Sequence, residues 1–125
     1  MTSLRAAAPV LCLRDIEPAI AFLVDGLGFA LQGSVGQPPV WASLGRDGVE
    51  LMLLGGDYPE PAGDWAAYIY VEDVDGLHAE VAGRGVEVTA LVNKPYGNRE
   101  FETRMPDGRT IAFGGSIPIR SENDQ

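Results

Sequence analysis

The sequence predicts an α+β fold built from two βαβββ modules, and three observations predict it. First, the chain repeats. The stretch "LCLRDIEPAIAFLVDGLGF" (11–29) lies over "IYVEDVDGLHAEVAGRGV" (69–86), with Leu11, Leu13, Asp15 and Ile16 matching Ile69, Val71, Asp73 and Val74. Dropping one residue then places Leu27-Gly28-Phe29 on Arg84-Gly85-Val86. Second, each copy opens as an alternating strand, passes into a helix and continues with strand candidates alone. Third, "GGDYPEPAGD" (55–64) separates the copies as a polar, Pro/Gly-rich connector. The modules run from about 6 to 55 and from about 64 to 115, followed by a short tail at 116–125. A chain of 125 residues is one domain's worth, and neither module alone covers both faces of its sheet, so the two must mate.

Each element has a local cause. The first strand ends at Asp15, whose carboxylate is placed to accept from the exposed amides of the next turn. Pro18 sits in the first helical turn, where its missing N–H costs nothing. Ile16, Ala19, Ile20 and Leu23 then fall on one side, and Gly26 or Gly28 ends the helix. The strands that follow are "FALQGSV", "PVWASLG" and "GVELMLLG". In the second copy Asp73 takes the part of Asp15, and Gly83 or Gly85 ends the helix. Its strands are "VEVTALVN", "NREFETRM" and "RTIAFGG", the last two joined by a tight reversal at Pro106-Asp107-Gly108. The tail "RSENDQ" is expected to fray.

Composition narrows the function. Eighteen acidic residues against nine basic ones give a formal charge of −9, which repels phosphate backbones and anionic membrane surfaces. The same charge serves solubility or attracts a cationic ligand. No stretch approaches the ~20 apolar residues that span a bilayer. The start, "MTSLRAAAPVLCLRD", lacks the apolar run of a secretory signal, and the single Cys12 forms no internal disulfide. The expected setting is the reduced cytoplasm, with no nucleic acid and no membrane as partner. The chain has no G-x-S-x-G, no phosphate loop and no Cys–His pair, so no catalytic residue is assigned.

Three segments, "APVLCLRDIEPAIAFLVDGLGF", "WAAYIYVEDVDGLHAEV" and "KPYGNREFETRMPDGRTIAF", carry a resemblance. In order and spacing they are similar to the vicinal-oxygen-chelate superfamily, which includes glyoxalase I, extradiol dioxygenases and bleomycin-resistance proteins, and they look most like the last group. The resemblance implies paired, curled mixed sheets that form a cleft, and a symmetric homodimer with clefts at its interface. Metal-using members place four ligands on the strands around that cleft, where a divalent ion polarises neighbouring substrate oxygens. Carried over, those positions are Ala8, Glu50, Ala66 and Ala112, three of them methyl groups. The only histidine, His78, falls on the second helix and is expected at the surface. No metal and no cofactor is therefore expected.

Strand alternation assigns Ala66, Tyr68 and Tyr70 to the cleft face, with Ala67, Ile69 and Val71 behind. It likewise assigns Glu50, Met52 and Leu54 to the cleft and Val49, Leu51 and Leu53 to the interior. Tyrosine faces stack on flat rings and attract cations, Met52 adapts to irregular shapes, and Glu50 attracts positive charge. The resemblance adds Trp41, which lines up with a cleft aromatic of the drug-binding proteins, and Tyr96, which stands where their "PWGREF" has tryptophan. Glu102 completes the candidate set, its face depending on register. The bland alternatives are tyrosines serving a core or dimer interface, and Glu50 paired with Arg99 or Arg104. The leading expectation is a non-catalytic antibiotic-binding protein that sequesters a cationic aromatic compound. Its rivals are a superfamily enzyme (glyoxalase, lyase, isomerase or dioxygenase) with a non-standard or absent metal site, with Glu50 as base in the metal-free case, and a protein-binding accessory role.

Overall fold

The strands of the repeat sort into two sheets of equivalent order. The computed structural model describes residues 2–61 and 65–118. Strands β1 (Val10–Leu13), β2 (Ala30–Val35), β3 (Trp41–Arg46) and β4 (Val49–Gly55) make the first sheet, in the order β1-β4-β3-β2. Strands β5 (Trp65–Tyr70), β6 (Val92–Asn93), β7 (Asn98–Arg104) and β8 (Thr110–Ser116) make the second, in the order β5-β8-β7-β6. In each sheet the first and last strands run parallel and the rest antiparallel. A parallel pair needs a crossover, which α1 (Glu17–Ala21) and α2 (Val74–Gly83) begin. A π-helical turn, Phe22–Gly26, extends α1.

The most apolar strands, β4 and β8, lie inside their sheets, and Leu51, Leu53, Ile111 and Phe113 are buried. One core joins these to Leu11, Leu13, Ile16 and Leu23 of the first module and to Val74, Val81 and Phe101 of the second. Each such large side chain contributes about 1.5–3 kcal/mol on burial, so the mated modules hold each other in place. Polar ties cross the same seam. The Arg46 guanidinium, also held by the Leu27 carbonyl of its own module, donates to both Glu80 oxygens at 2.8 and 2.9 Å, and Arg109 donates to the Cys12 carbonyl at 2.8 Å.

Helix starts and stops follow the repeat with one offset. Asp73 Oδ1 accepts from the Gly76 amide at 3.0 Å as the N-cap of α2. Asp15 Oδ1 accepts from Glu17 at 3.1 Å, but Ile16 occupies the N-cap position itself. Gly28 and Gly85, rather than Gly26 and Gly83, take the left-handed conformation, with φ of 74° and 87°.

Two sequence expectations are corrected. The stretch "VEVTALVN" supplies only two strand residues, Val92–Asn93, plus a single bridge from Val88 to Thr103. Thr89 explains the break: its amide donates to the Glu102 carbonyl and its hydroxyl accepts the Glu102 amide at 2.8 Å, so a side chain replaces the ladder. His78 is not a free surface residue. It is half-buried, its Nε2 2.9 Å from the Thr89 carbonyl and its ring edge-on to Phe101. Part of the expected connector, 62–64, and most of the expected tail, 119–125, lie outside the described residues.

Candidate functional site

Aromatic side chains collect on the outer face of the second sheet because β5 is bulged. Trp65 pairs with Thr110 but Ala67 already pairs with Ile111, so one extra residue enters the strand. The extra residue shifts the alternation. Trp65, Tyr68 and Tyr70 share one face, with ring centroids 5.4 Å and 5.1 Å apart. Ala66 packs against the core with Ala67, Ile69 and Val71, which corrects its expected place on the cleft face. Ala112 pairs with both Tyr68 and Glu102. It is fully buried, sharing the outer face with Tyr68 and Glu102.

Strand β7 brings acids to the same face, since Asn98, Glu100 and Glu102 alternate there opposite Ser116, Gly114 and Ala112. The Trp65 indole N–H donates to Glu102 Oε2 at 3.0 Å. The Tyr68 hydroxyl donates to Glu100 Oε2 at 2.7 Å, the Tyr96 hydroxyl donates to the same oxygen, and Asn98 Nδ2 donates to the Tyr68 hydroxyl at 3.1 Å. Glu100 is only 4% exposed, whereas Tyr70, Tyr96 and Trp65 are 79%, 65% and 51% exposed. Burial, then the bond to Glu100, raises the Tyr68 phenol above its ordinary pKa. The bond to Glu100 pushes Tyr96 up to about 12. Both phenols therefore act as donors at neutral pH. Gly114 makes the arrangement possible: a Cβ there would lie 1.7 Å from the Tyr68 hydroxyl.

The other candidates lie on the first sheet. The Ser43 hydroxyl donates to Glu50 Oε2 at 2.6 Å. Serine is thus the partner of Glu50 in the chain, and the bland alternative of an arginine partner is not found: Arg99 holds both oxygens of Asp75 at 3.0 and 2.8 Å, and Arg104 is exposed at the end of β7. Met52 is half-buried on the Glu50 face, and Trp41 lies beside them, its indole over Gly33. Register also alters an equivalence. Val10 pairs with Met52 as Tyr68 pairs with Ala112, so Met52 is the counterpart of Ala112, and Glu50 sits one step further along that face.

The candidates thus form two groups. Trp41, Glu50 and Met52 sit on the first sheet; Tyr68, Tyr70, Tyr96 and Glu102 sit on the second, and no hydrogen bond or ring contact joins the groups among the described residues. The larger of the two principal cavities, about 700 Å³, lies at the seam between modules, lined by Phe29, Val49, Leu77 and the Arg46–Glu80 pair, with Tyr70 as its only candidate residue. The other, about 590 Å³, opens at Tyr70, Glu72, Asn98, Gly114 and Ser116 beside the Glu100 cluster.

The residues present do not fit a resident metal. Ala66 and Ala112 bring no donor atom, and no group of three or more His, Cys, Asp or Glu is close enough to hold an ion among the described residues. Sequence reasoning missed Trp65, Asn98 and Glu100. Nothing local announces the bulge that turns Trp65 outward. Glu100 was within reach, because it shares the alternation of Glu102 in "NREFE".

The chain belongs to the Glyoxalase/Bleomycin resistance protein/Dioxygenase superfamily, whose family model matches residues 5–113. Among solved structures it is similar to a bleomycin-binding protein from bleomycin-producing Streptomyces verticillus, solved with copper(II)-bleomycin. The two are 29% identical over 94% of this chain and 100% of that one, with a TM-score of 0.77. It is also similar to TnmS3, an antibiotic binding protein from Streptomyces sp. CB03234, at 25% identity over 93% and 100% of the chains and a TM-score of 0.70. A glyoxalase-related enzyme from Clostridium phytofermentans shares the fold, at 20% identity over 93% and 98% and a TM-score of 0.78. No curated protein matches the chain significantly.

Proposed function

We propose that this protein binds and sequesters, without transforming it, a small molecule that combines flat rings with positive charge, such as a bleomycin-family antibiotic. The observation that carries this reading is the run of Trp65, Tyr68 and Tyr70, exposed at its two ends and half-buried at Tyr68, with Glu100 and Glu102 bonded among the rings. Rings present stacking faces, and carboxylates among them favour a cation. Similarity to a bleomycin-binding protein and to an antibiotic binding protein supports the same ligand class.

Magnitude argues for a second wall. Stacking and cation–π contacts bring about 0.5–2 kcal/mol each, so three rings supply at most about 6 kcal/mol. Micromolar affinity needs about 8 kcal/mol after association costs are met. In a homodimer, the first sheet of one protomer would face the second sheet of its partner and bring Trp41, Glu50 and Met52 across the ligand. We place the dimer in the cytoplasm, where Cys12 stays reduced.

Titration with metal-free bleomycin, followed by tryptophan fluorescence, tests the proposal. A saturable change at micromolar drug, reduced in Trp65→Phe and in Trp41→Phe, is expected. An unchanged signal up to millimolar drug removes bleomycin as the ligand.

A further inference from the structure

Glu100 is a nearly buried carboxylate with no cation beside it among the described residues. Among the described residues the salt bridges engage Glu60, Asp47, Glu80, Asp75 and Asp107, and none reaches Glu100. Its neighbours are neutral donors: Tyr68 and Tyr96 both act on Oε2, and Asn98 fixes Tyr68 from the far side. Hydrogen bonds stabilise the charge without cancelling it, so a net negative charge sits in a low-dielectric wall. No described residue donates to Oε1. Among the described residues every fully buried side-chain oxygen has a partner, so Oε1, which has none, is not fully buried. The cavity of about 590 Å³ is lined by Asn98 and Gly114, neighbours of Glu100 on the sheet, and Glu100 lies beside it rather than in its lining.

We infer that Glu100 is the anion that reads the ligand's positive charge, through Oε1, and that the ligand offers a protonated nitrogen, amine or amidine, attached to a flat ring. The inference rests on the binding function proposed above. It also reassigns the charge-reading role, which sequence reasoning gave to Glu50. Glu50 and Glu102 are both half-buried, and each has an oxygen engaged, by Ser43 and by the Trp65 indole. Better solvated charges attract a cation less. Glu100 is also held in place before the ligand arrives, because three side chains lock the geometry of Oε2 and its donors, so little ordering cost remains.

A matched pair of probes tests this: 4-aminobenzamidine, a planar cation, and 4-aminobenzamide, its neutral analogue. Calorimetry on the intact protein is expected to show the cation bound roughly 10- to 100-fold more tightly, the range of a charge-assisted hydrogen bond. Glu100→Gln is expected to bring the ratio to about one, whereas Glu50→Gln and Glu102→Gln, which remove better solvated charges, lower it less. A second measurement avoids dependence on the variant's folding. In the wild-type protein the Glu100 carboxyl carbon resonance should move with the cation and stay still with the neutral probe. Equal affinity for the two probes, or a preference that survives Glu100→Gln, overturns the inference and leaves the aromatic binder standing. Failure of both probes to bind at millimolar concentration overturns the binding function, and the role of Glu100 with it.

Discussion

Tyr96 reports the state of the Glu100 network, because its phenol is pushed up to about 12 chiefly by the bond to that carboxylate, with desolvation second. A folded-state pKa above the unfolded value of about 10 means that the bond stabilises the protein fully below pH ~10. That contribution is lost as pH rises from 10 through 12. Ultraviolet titration of phenolate absorbance is therefore expected to show a late-ionising tyrosine, which Glu100→Gln returns toward 10. A titration with no late component would contradict the bond. Gly114 gives a second prediction at this scale. With 1.7 Å between its missing Cβ and the Tyr68 hydroxyl, Gly114→Ala must displace the ring and take one donor from Glu100. The expected cost is about 1–3 kcal/mol in urea unfolding, the range for overpacking, with weakened ligand binding.

Among elements, the β5 bulge decides the character of the site. One inserted residue turns Trp65 out to join the tyrosines and Ala66 inward, whereas periodicity alone put Ala66 on the tyrosine face. Between elements, the tie from β3 to α2 through Arg46 is the principal polar link of the modules. The bond to Arg46 is the main cause that holds Glu80 below the usual carboxylate range. Its depressed folded pKa means that this stabilisation exists above the unfolded value of about 4.5 and fades as pH falls through the folded one. Both side chains keep roughly a third of their surface in water, so Arg46→Ala is expected to cost only about 1 kcal/mol at pH 7. Urea unfolding should show that cost shrinking in acid, as Glu80 protonates. An effect that stays constant down to pH 3 would assign the loss to packing instead.

For the whole molecule, the division of candidate residues between two sheets means that the proposed binding cleft requires an assembly to bring them together. Sedimentation equilibrium is expected to return twice the 13.3 kDa mass of the chain, and a monomer at micromolar concentration would remove the second wall. The formal charge of −9 acts at longer range. Raising ionic strength from about 0.01 to 0.15 M shortens the screening length from roughly 30 to 8 Å, so association of a cationic drug should slow markedly. Dissociation, set by rings and by the buried Glu100, should change little. Stopped-flow fluorescence separates the two, and a salt effect confined to dissociation would contradict long-range steering.

The sequence by itself determined the repeat, the two helices with their glycine stops and the strand candidates. Those features are local: an alternation or a cap is written within a few neighbouring residues. Only the tertiary structure decided that Trp65 faces outward, that Ser43 is the partner of Glu50, that Met52 is the counterpart of Ala112, and that Glu100 is buried beneath two phenols. Each of these depends on how strands register across a sheet, where one extra residue exchanges the faces. Register is set by pairing between residues distant in the chain, which local pattern does not encode.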